Sequence, residues 1–508
     1  MLPQRLPAQD LPAPETVKLT TLLLQSQPIP DLVQKYIKYA HDFPTYEEQA
    51  RGTVQVWGRG ETGPSHSPTL SDSGDISLDP DADFSEAAVQ KYIKSYVENI
   101  QNMYPLLTPS ELRAMPSPKG ESIESALTLL VLALGKICLH PRIPDVMPLE
   151  KGSLQGGSAR RNMDVIPGLD YFACASRILG GQLAADSLTH IQVDLLAGLY
   201  YGQLVRPIES YAFVRRASHK LQQVMRRWAH ERTGSNEHAG GHEHTGRSTT
   251  KNAILFAFGT CLDLESDLVA ELRLPPSGLS AYQSPACFPD IALAEQQGFD
   301  KRVLESFCAH WCLREAVAQI CSSIYTSQGL APYIHVPDAN AVQYAQTALG
   351  NCNIPSECSP VEAARLRDRY WGGQAMIYRP FINLILKHDH NLAISPQVIQ
   401  YAGQGVQALV ESTRAFHNLG KRFIISSIFR TAHTQWCNLV TLSAVIRNTT
   451  LRPFVDDDLL RKLFSWTIDF FKIIALPTSA LFIDLRILES LQHNLWGNSG
   501  REKETPDA

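Results

Sequence analysis

From Ser85 to Leu495, apolar residues recur every three or four positions, and no period-2 run of convincing length interrupts them. Such a chain places its apolar side chains on helix faces and lacks the alternation that a half-buried strand needs. The expectation is an all-α fold, an irregular helical array or superhelical bundle. No fixed sequence period appears, which argues against a regular tetratricopeptide or HEAT array.

Domain boundaries follow from composition. Residues 1–84 read as a mostly disordered N-terminal region. A short helix fits Asp31–His41, hemmed in by Pro28, Pro30 and Pro44. Gly52–Glu86 is rich in Gly, Ser, Pro and Asp. Its acidic part, SDSGDISLDPDADFSE, carries too little apolar surface to order itself and reads as a linker; Ser67-Pro68 within it is a weak phosphorylation signal. Residues 85–495 form the helical domain, broken by a polar, glycine-rich loop over 231–250, and 496–508 read as a disordered tail.

Within the helical domain the clearest unit spans Ala184–His230. Two helices meet at a short break around Arg206-Pro207, the second with Phe213, Ala217, Leu221, Val224, Met225 and Trp228 on one face, so an antiparallel hairpin is expected. Further helices are expected over Lys301–Tyr325, Ala341–Leu349, Pro360–Leu386, Pro396–Leu419, Ser426–Arg447, Asp456–Ile474 and Ser479–Leu495. The most apolar run, Ala126–Leu139, is too short to cross a bilayer and holds Lys136, so it reads as a buried core helix.

Composition narrows function. The 46 basic and 51 acidic side chains leave a net charge of -5. A chain devoted to gripping phosphate backbones would be basic, so there is no global nucleic-acid footprint. The N-terminus, MLPQRLPAQDLPAPE, has no apolar core of a secretory signal, and an intracellular protein without a membrane role is expected. Ten scattered cysteines form no secreted disulfide framework and read as reduced and buried.

Lys251–Ser280 reads as one apolar-faced helix running into a Leu-Pro-Pro stop. Ile254, Phe258, Cys261, Leu268 and Leu272 share helical spacing, with Glu265 the one break. Pro275 and Pro276 cannot extend the hydrogen-bond ladder. Asp263, Asp267 and Glu271 lie at i, i+4 and i+8, as magnesium-binding carboxylates of all-helical isoprenoid synthases would. That chemistry wants adjacent aspartates followed by a third acid. Asp263-Leu-Glu-Ser-Asp267 lacks the adjacent pair, and Asp456-Asp457-Asp458 is followed by Leu459, Leu460 and Arg461. Solvated or helix-capping acids are the favoured reading. A di-iron carboxylate site fails too, because Ser266 and Ala270 stand where histidines are required.

His230, His238, His242 and His244 make a histidine-rich loop that reads as a flexible insertion, and His388-Asp389-His390 as a helix-end feature. Cys308 and Cys312 supply half a zinc site at most and, with Cys321, read as core residues. Arg160-Arg161, Arg215-Arg216, Arg226-Arg227 and Lys421-Arg422 are paired basics that form no compact nuclear import cluster. In Arg379-Pro380-Phe381 the proline is expected to end or kink its helix, and the arginine to neutralise carbonyls or a buried acid. No Walker loop, G-x-G-x-x-G, G-x-S-x-G or H-E-x-x-H occurs, and no catalytic, cofactor-binding or metal-binding residue is assigned.

Three strings, in this order, resemble the fungal-specific transcription factor domain of zinc binuclear cluster factors. They are HIQVDLLAGLYYGQLVRPIESYAFVRRASHKLQQVMRR (His190–Arg227), CLDLESDLVAELRLPPSG from Cys261, and LRDRYWGGQAMIYRPFI (Leu366–Ile382). The resemblance spans roughly Ser85 to Leu495. It implies a helical regulatory domain, a nuclear location, a non-enzymatic role in transcription, and partners among transcription factors or coregulators. It also leaves room for a small-molecule effector and a dimer. The family's six-cysteine zinc cluster is not found: the first cysteine is Cys138 and no C-x2-C occurs. No cofactor is therefore expected in this chain, and zinc only if a cluster is encoded upstream of Met1. DNA contact would then be indirect or through that missing module. The alternatives are an all-helical isoprenoid-type enzyme and a cytosolic helical scaffold.

Overall fold

The protein is described by a computed structural model, which covers residues 43–51, 54, 82–118, 120–140, 142, 162–182, 184–234, 243–272, 274–325, 337–387, 394–417, 419 and 427–497. The expected helix at Asp31–His41, most of the acidic linker with Ser67-Pro68, and the tail beyond Gly497 lie outside these residues.

The fold is all-α. The helices are α1 (Phe43–Ala50), α2 (Glu86–Tyr96), α3 (Pro109–Arg113), α4 (Ile123–Cys138), α5 (Asn162–Val165), α6 (Leu169–Gly180), α7 (Leu188–Gln203), α8 (Pro207–Gly234) and α9 (Glu243–Glu271). They continue with α10 (Ile291–Gln296), α11 (Lys301–Ile320), α12 (Ala339–Gly350), α13 (Pro360–Lys387), α14 (Pro396–Arg414), α15 (Ile428–Val445), α16 (Asp457–Ile474) and α17 (Ala480–Trp496). No strand occurs among the described residues.

Local chemistry sets most helix starts. Ser85, Ser122, Asp290, Asp338 and Ser427 each accept a backbone N–H two or three residues into their helix. Thr108 and Glu111 form a reciprocal capping box ahead of Pro109. Asp456 accepts from the backbone N–H groups of Asp458 at 2.9 Å and Leu459 at 3.2 Å, so this aspartate run does cap a helix.

Packing proceeds largely between chain neighbours. α4 lies against α2, α6 and α7; α7 pairs with α8 as the expected hairpin; α13 pairs with α14; α15, α16 and α17 close the far side. α9 runs through the middle, touching α7, α8, α11 and α15. It is buried all round from Ile254 to Leu272, apart from Ser266 and Ala270, which are half-buried. Its neighbours come close: a Cβ on Gly259 would sit 2.3 Å from the Trp311 ring of α11. Likewise a Cβ on Gly135 of α4 would lie 2.0 Å from the Tyr92 carbonyl oxygen of α2.

Several boundaries differ from expectation. The polar loop is shorter than 231–250, since α8 continues to Gly234 and α9 begins at Glu243. Extending an existing helix adds one hydrogen bond per residue without a new nucleus, so polar flanks join it readily. α14 ends at Arg414 rather than Leu419. α13 passes through Pro380 to Lys387, where buried Tyr378, Phe381, Ile382 and Ile385 hold both sides of the proline in the core.

Within the first 84 residues, α1 is an ordered part of the fold. Pro44 stands in its first turn, where the missing N–H costs nothing. Buried Glu48 accepts from the Ala480 N–H at the start of α17 at 2.8 Å and from Arg51 at 2.6 Å. Arg51 also donates to the Val205 carbonyl at 2.7 Å, and Val205 holds a left-handed φ of 56° at the α7–α8 turn. A β-branched residue resists that conformation, so the arginine fastens a strained turn.

His417, just past α14, packs its ring 4.9 Å from that of Trp466 on α16 and lies 3.4 Å from the Thr467 hydroxyl. Burial, with Arg414 adding to it, lowers its imidazole to about 4. The unfolded chain takes up this proton near pH 6.5 and the folded chain only near 4, so protonation in between favours unfolding. This contribution is fully present above about pH 6.5, and on the order of 3 kcal/mol is lost as pH falls toward 4. Denaturant midpoints from about pH 7 down to pH 4 should therefore fall less steeply for His417→Phe than for wild type. Parallel curves would refute this assignment.

Candidate functional site

Asp263, Asp267 and Glu271 do project from one face of α9, but that face is interior: they are 6%, 5% and 4% exposed. The expectation of solvated or capping acids fails for these three. What decides the matter is a set of cations far along the chain. Arg369 of α13 donates to both Asp263 and, at 2.6 Å, Asp267. Arg365, one turn before it, lies 3.6 Å from Asp263. Arg430 of α15 stands 3.4 Å from Asp267 and 3.1 Å from Asp368 of α13.

Neutral donors complete the cluster. The Tyr104 hydroxyl donates to Asp263 at 3.1 Å and accepts from Arg365 at 3.0 Å. Thr434 donates to Glu271 at 3.0 Å. Ser412 donates to Asp368 at 3.0 Å and accepts from Asn438 at 3.2 Å.

The electrostatics follow from this wiring. Burial opposes ionisation of Asp263, yet Arg369 above all, with Arg365, outweighs it and holds this carboxyl well below the usual range. Burial pushes Asp267 and Glu271 up, offset in part by Arg369 and Arg430 for the former and by His433 and Arg430 for the latter. His310, buried beside Asp263, is pushed well down by burial and by Arg365 and Arg369. Its two ring nitrogens have no hydrogen-bond partner among the described residues, and a void of about 10 Å³ beside it matches the volume one water requires.

The proline stop is wired as tightly. Glu265, the apparent break in the apolar stripe, accepts from the Ser277 N–H at 2.6 Å and its hydroxyl at 2.8 Å. That bond folds the segment after Pro275-Pro276 back on α9. From α8, Tyr211 and Arg215 both donate to the Pro275 carbonyl, Arg215 at 3.0 Å, and Gln222 donates to the Ser277 carbonyl at 2.7 Å. Cys261 lies 3.1 Å from the Ser218 hydroxyl.

Beside the cluster, α9, α11, α13 and α15 enclose a cavity of about 220 Å³. Asp267, Glu271 and Arg369 lie at its buried base, Leu262, Val269 and Met376 line its apolar wall, and half-buried Gly372 and Arg379 stand at its rim. Sequence reasoning assigned no site here. The spacing carried one signal: Arg365 and Arg369 repeat the i, i+4 interval of Asp263 and Asp267.

The remaining candidates disperse. Cys308 and Cys312 are not core residues together, for Cys312 is exposed, while Cys321 is buried at the cavity wall. Burial raises the thiols of Cys308 and Cys321 to about 12, the opposite of an activated thiolate. Arg379 makes no ion pair or hydrogen bond among the described residues, so the expected neutralising contact is not seen. Arg215 and Arg226 are bound by Tyr211 and Tyr282, and Arg216 and Arg227 by Asp194 and Asp186. Arg160-Arg161, Lys421-Arg422, His238, His242 and His388-Asp389-His390 lie outside the described residues, as do the side chains of His230 and His244.

In comparisons with known proteins, no protein-family model, curated protein or solved structure matches this chain.

Arg369→Leu is expected to destabilise the protein by about 3–5 kcal/mol, because it strands two buried carboxylates. Adding Asp263→Asn and Asp267→Asn should restore part of that loss in chemical denaturation. A single-variant effect under about 0.5 kcal/mol would show that the cluster contributes no net stability.

Proposed function

We propose that this protein is a transcription regulator whose helices form a regulatory domain similar to that of fungal zinc binuclear cluster factors. On this reading it works in the nucleus, through contacts with other transcription factors or coregulators, or through a DNA-binding module outside this chain. One observation supports the reading above the others. The three strings that carry the resemblance, far apart in the chain, are joined directly through α9: α8 binds its proline stop, and Arg369 of α13 binds its carboxylates. The segments that carry the resemblance are thus packed against one another within one helical unit.

An isoprenoid-type enzyme is the weaker reading. Magnesium would need carboxylates with open lone pairs, whereas Asp263 and Asp267 already face arginines. A cytosolic scaffold is distinguished from a regulator by location. The tagged full-length native protein should be enriched in nuclei and should occupy chromatin in immunoprecipitation; failure of both removes the proposal. A magnesium-dependent diphosphate-release assay on prenyl substrates should stay silent, and turnover there would favour the enzyme.

A further inference from the structure

The cavity beside the ion cluster is too large to be a packing defect. Its volume of about 220 Å³ far exceeds the roughly 10–15 Å³ that one water requires, and is larger than the ~150 Å³ void that admits benzene in a protein core. Leu262, Val269 and Met376 make part of its lining apolar, as in sites that take the body of an organic molecule.

Its polar lining is unevenly satisfied. Arg369 and Arg430 are matched by Asp263, Asp267 and Asp368. Arg314 of α11 is not. It is 8% exposed, lines the cavity, and has no carboxylate within ion-pair distance among the described residues. Its Nη2 donates to Gln283 at 2.6 Å and its guanidinium lies 5.6 Å from the Trp311 ring centre, but Nε finds no partner. Arg379 at the rim makes no ion pair or hydrogen bond among the described residues. A buried guanidinium without an anion is costly, and the cost is removed when a ligand brings one.

The acids that share the lining do not cancel this excess. Asp267 is held by its two arginines. Glu265 and Glu271 accept from Ser277 and Thr434, and burial pushes both carboxyls toward the neutral form. The carboxyls thus have protein donors, while neither Arg314 nor Arg379 has a carboxylate within ion-pair distance among the described residues.

We propose that this cavity binds an amphipathic organic monoanion, its apolar body between α9, α11, α13 and α15 and its carboxylate on Arg314, with Arg379 attracting it at the rim. Binding is a property of the cavity and does not depend on the transcriptional reading.

The test uses purified full-length protein with octanoate as probe and octan-1-ol as its uncharged counterpart, followed by calorimetry and thermal shift. Two variants separate the contributions. Gly372→Leu adds bulk to the cavity lining at a position where an added Cβ meets no atom within 4 Å, so the backbone need not shift to accept it. Arg314→Met keeps an unbranched stem, though a shorter one, and removes the guanidinium and its charge. Octanoate should bind one to one and roughly tenfold more tightly than octanol, as expected for one charge-assisted contact. Arg314→Met should erase that preference, and Gly372→Leu should weaken both compounds by roughly tenfold or more. The proposal is overturned if octanoate shows no saturable binding, if octanol binds equally well, or if Gly372→Leu binds as wild type does. Should Arg314→Met fail to fold, the other two comparisons decide.

Discussion

Everything near the centre of this protein depends on two aspartates one turn apart on α9 meeting two arginines one turn apart on α13. Asp263 and Asp267 face Arg365 and Arg369, and Arg430 of α15 closes the set against Asp267 and Asp368. Taking these charges out of water costs several kcal/mol each, and the cost is recovered only when every partner is in place. Matched one-turn intervals therefore permit one register between the helices. Sliding α13 by a turn would leave a buried charge alone. Apolar packing by itself is more forgiving, because similar side chains tolerate being exchanged across an interface.

Helix positions were largely legible in the sequence because helix chemistry is local. Asp456 could be recognised as a cap from the residues beside it, and Arg206-Pro207 as the break between α7 and α8. The state of Asp263, Asp267 and Glu271 was not legible, since Asp263 and Arg369 lie 106 residues apart. Periodicity marks an apolar stripe and assigns the opposite face to solvent. For α9 that step fails: the charged face is enclosed as fully as the apolar one, and only the arginines of α13 and α15 reveal it. Pro44 shows the same limit of local reading. Read in the sequence as a flank of the helix over Asp31–His41, it stands in the first turn of α1, where a proline has no hydrogen bond to lose.

The same arginines border the cavity. A guanidinium on α13 or α15 that meets a carboxylate on α9 bridges a longer span than a pair of leucines needs. Around it the chain places small residues, among them Ala270, Ala318, Gly372 and Ala375, which cannot fill the gap. Gly373 differs from its neighbour, since a Cβ there would meet Leu349 at 3.0 Å and Val317 at 3.4 Å. One glycine permits close packing of α13 on α11 and α12, and the other leaves space open.

That arrangement ties the cavity to the surface of the α7–α8 hairpin. α9 carries both the cavity base and Glu265, whose bonds to Ser277 hold the proline stop against Tyr211, Arg215 and Gln222 of α8. A ligand that binds the folded state alone stabilises it by mass action, and it acts on any conformational equilibrium in which α9 moves. The segment after Pro275-Pro276 is where such movement would be felt, because it joins α9 to α8 through the Pro275 and Ser277 carbonyls and through buried Leu279. The helix that organises the buried charges therefore also holds the proline stop in place against α8.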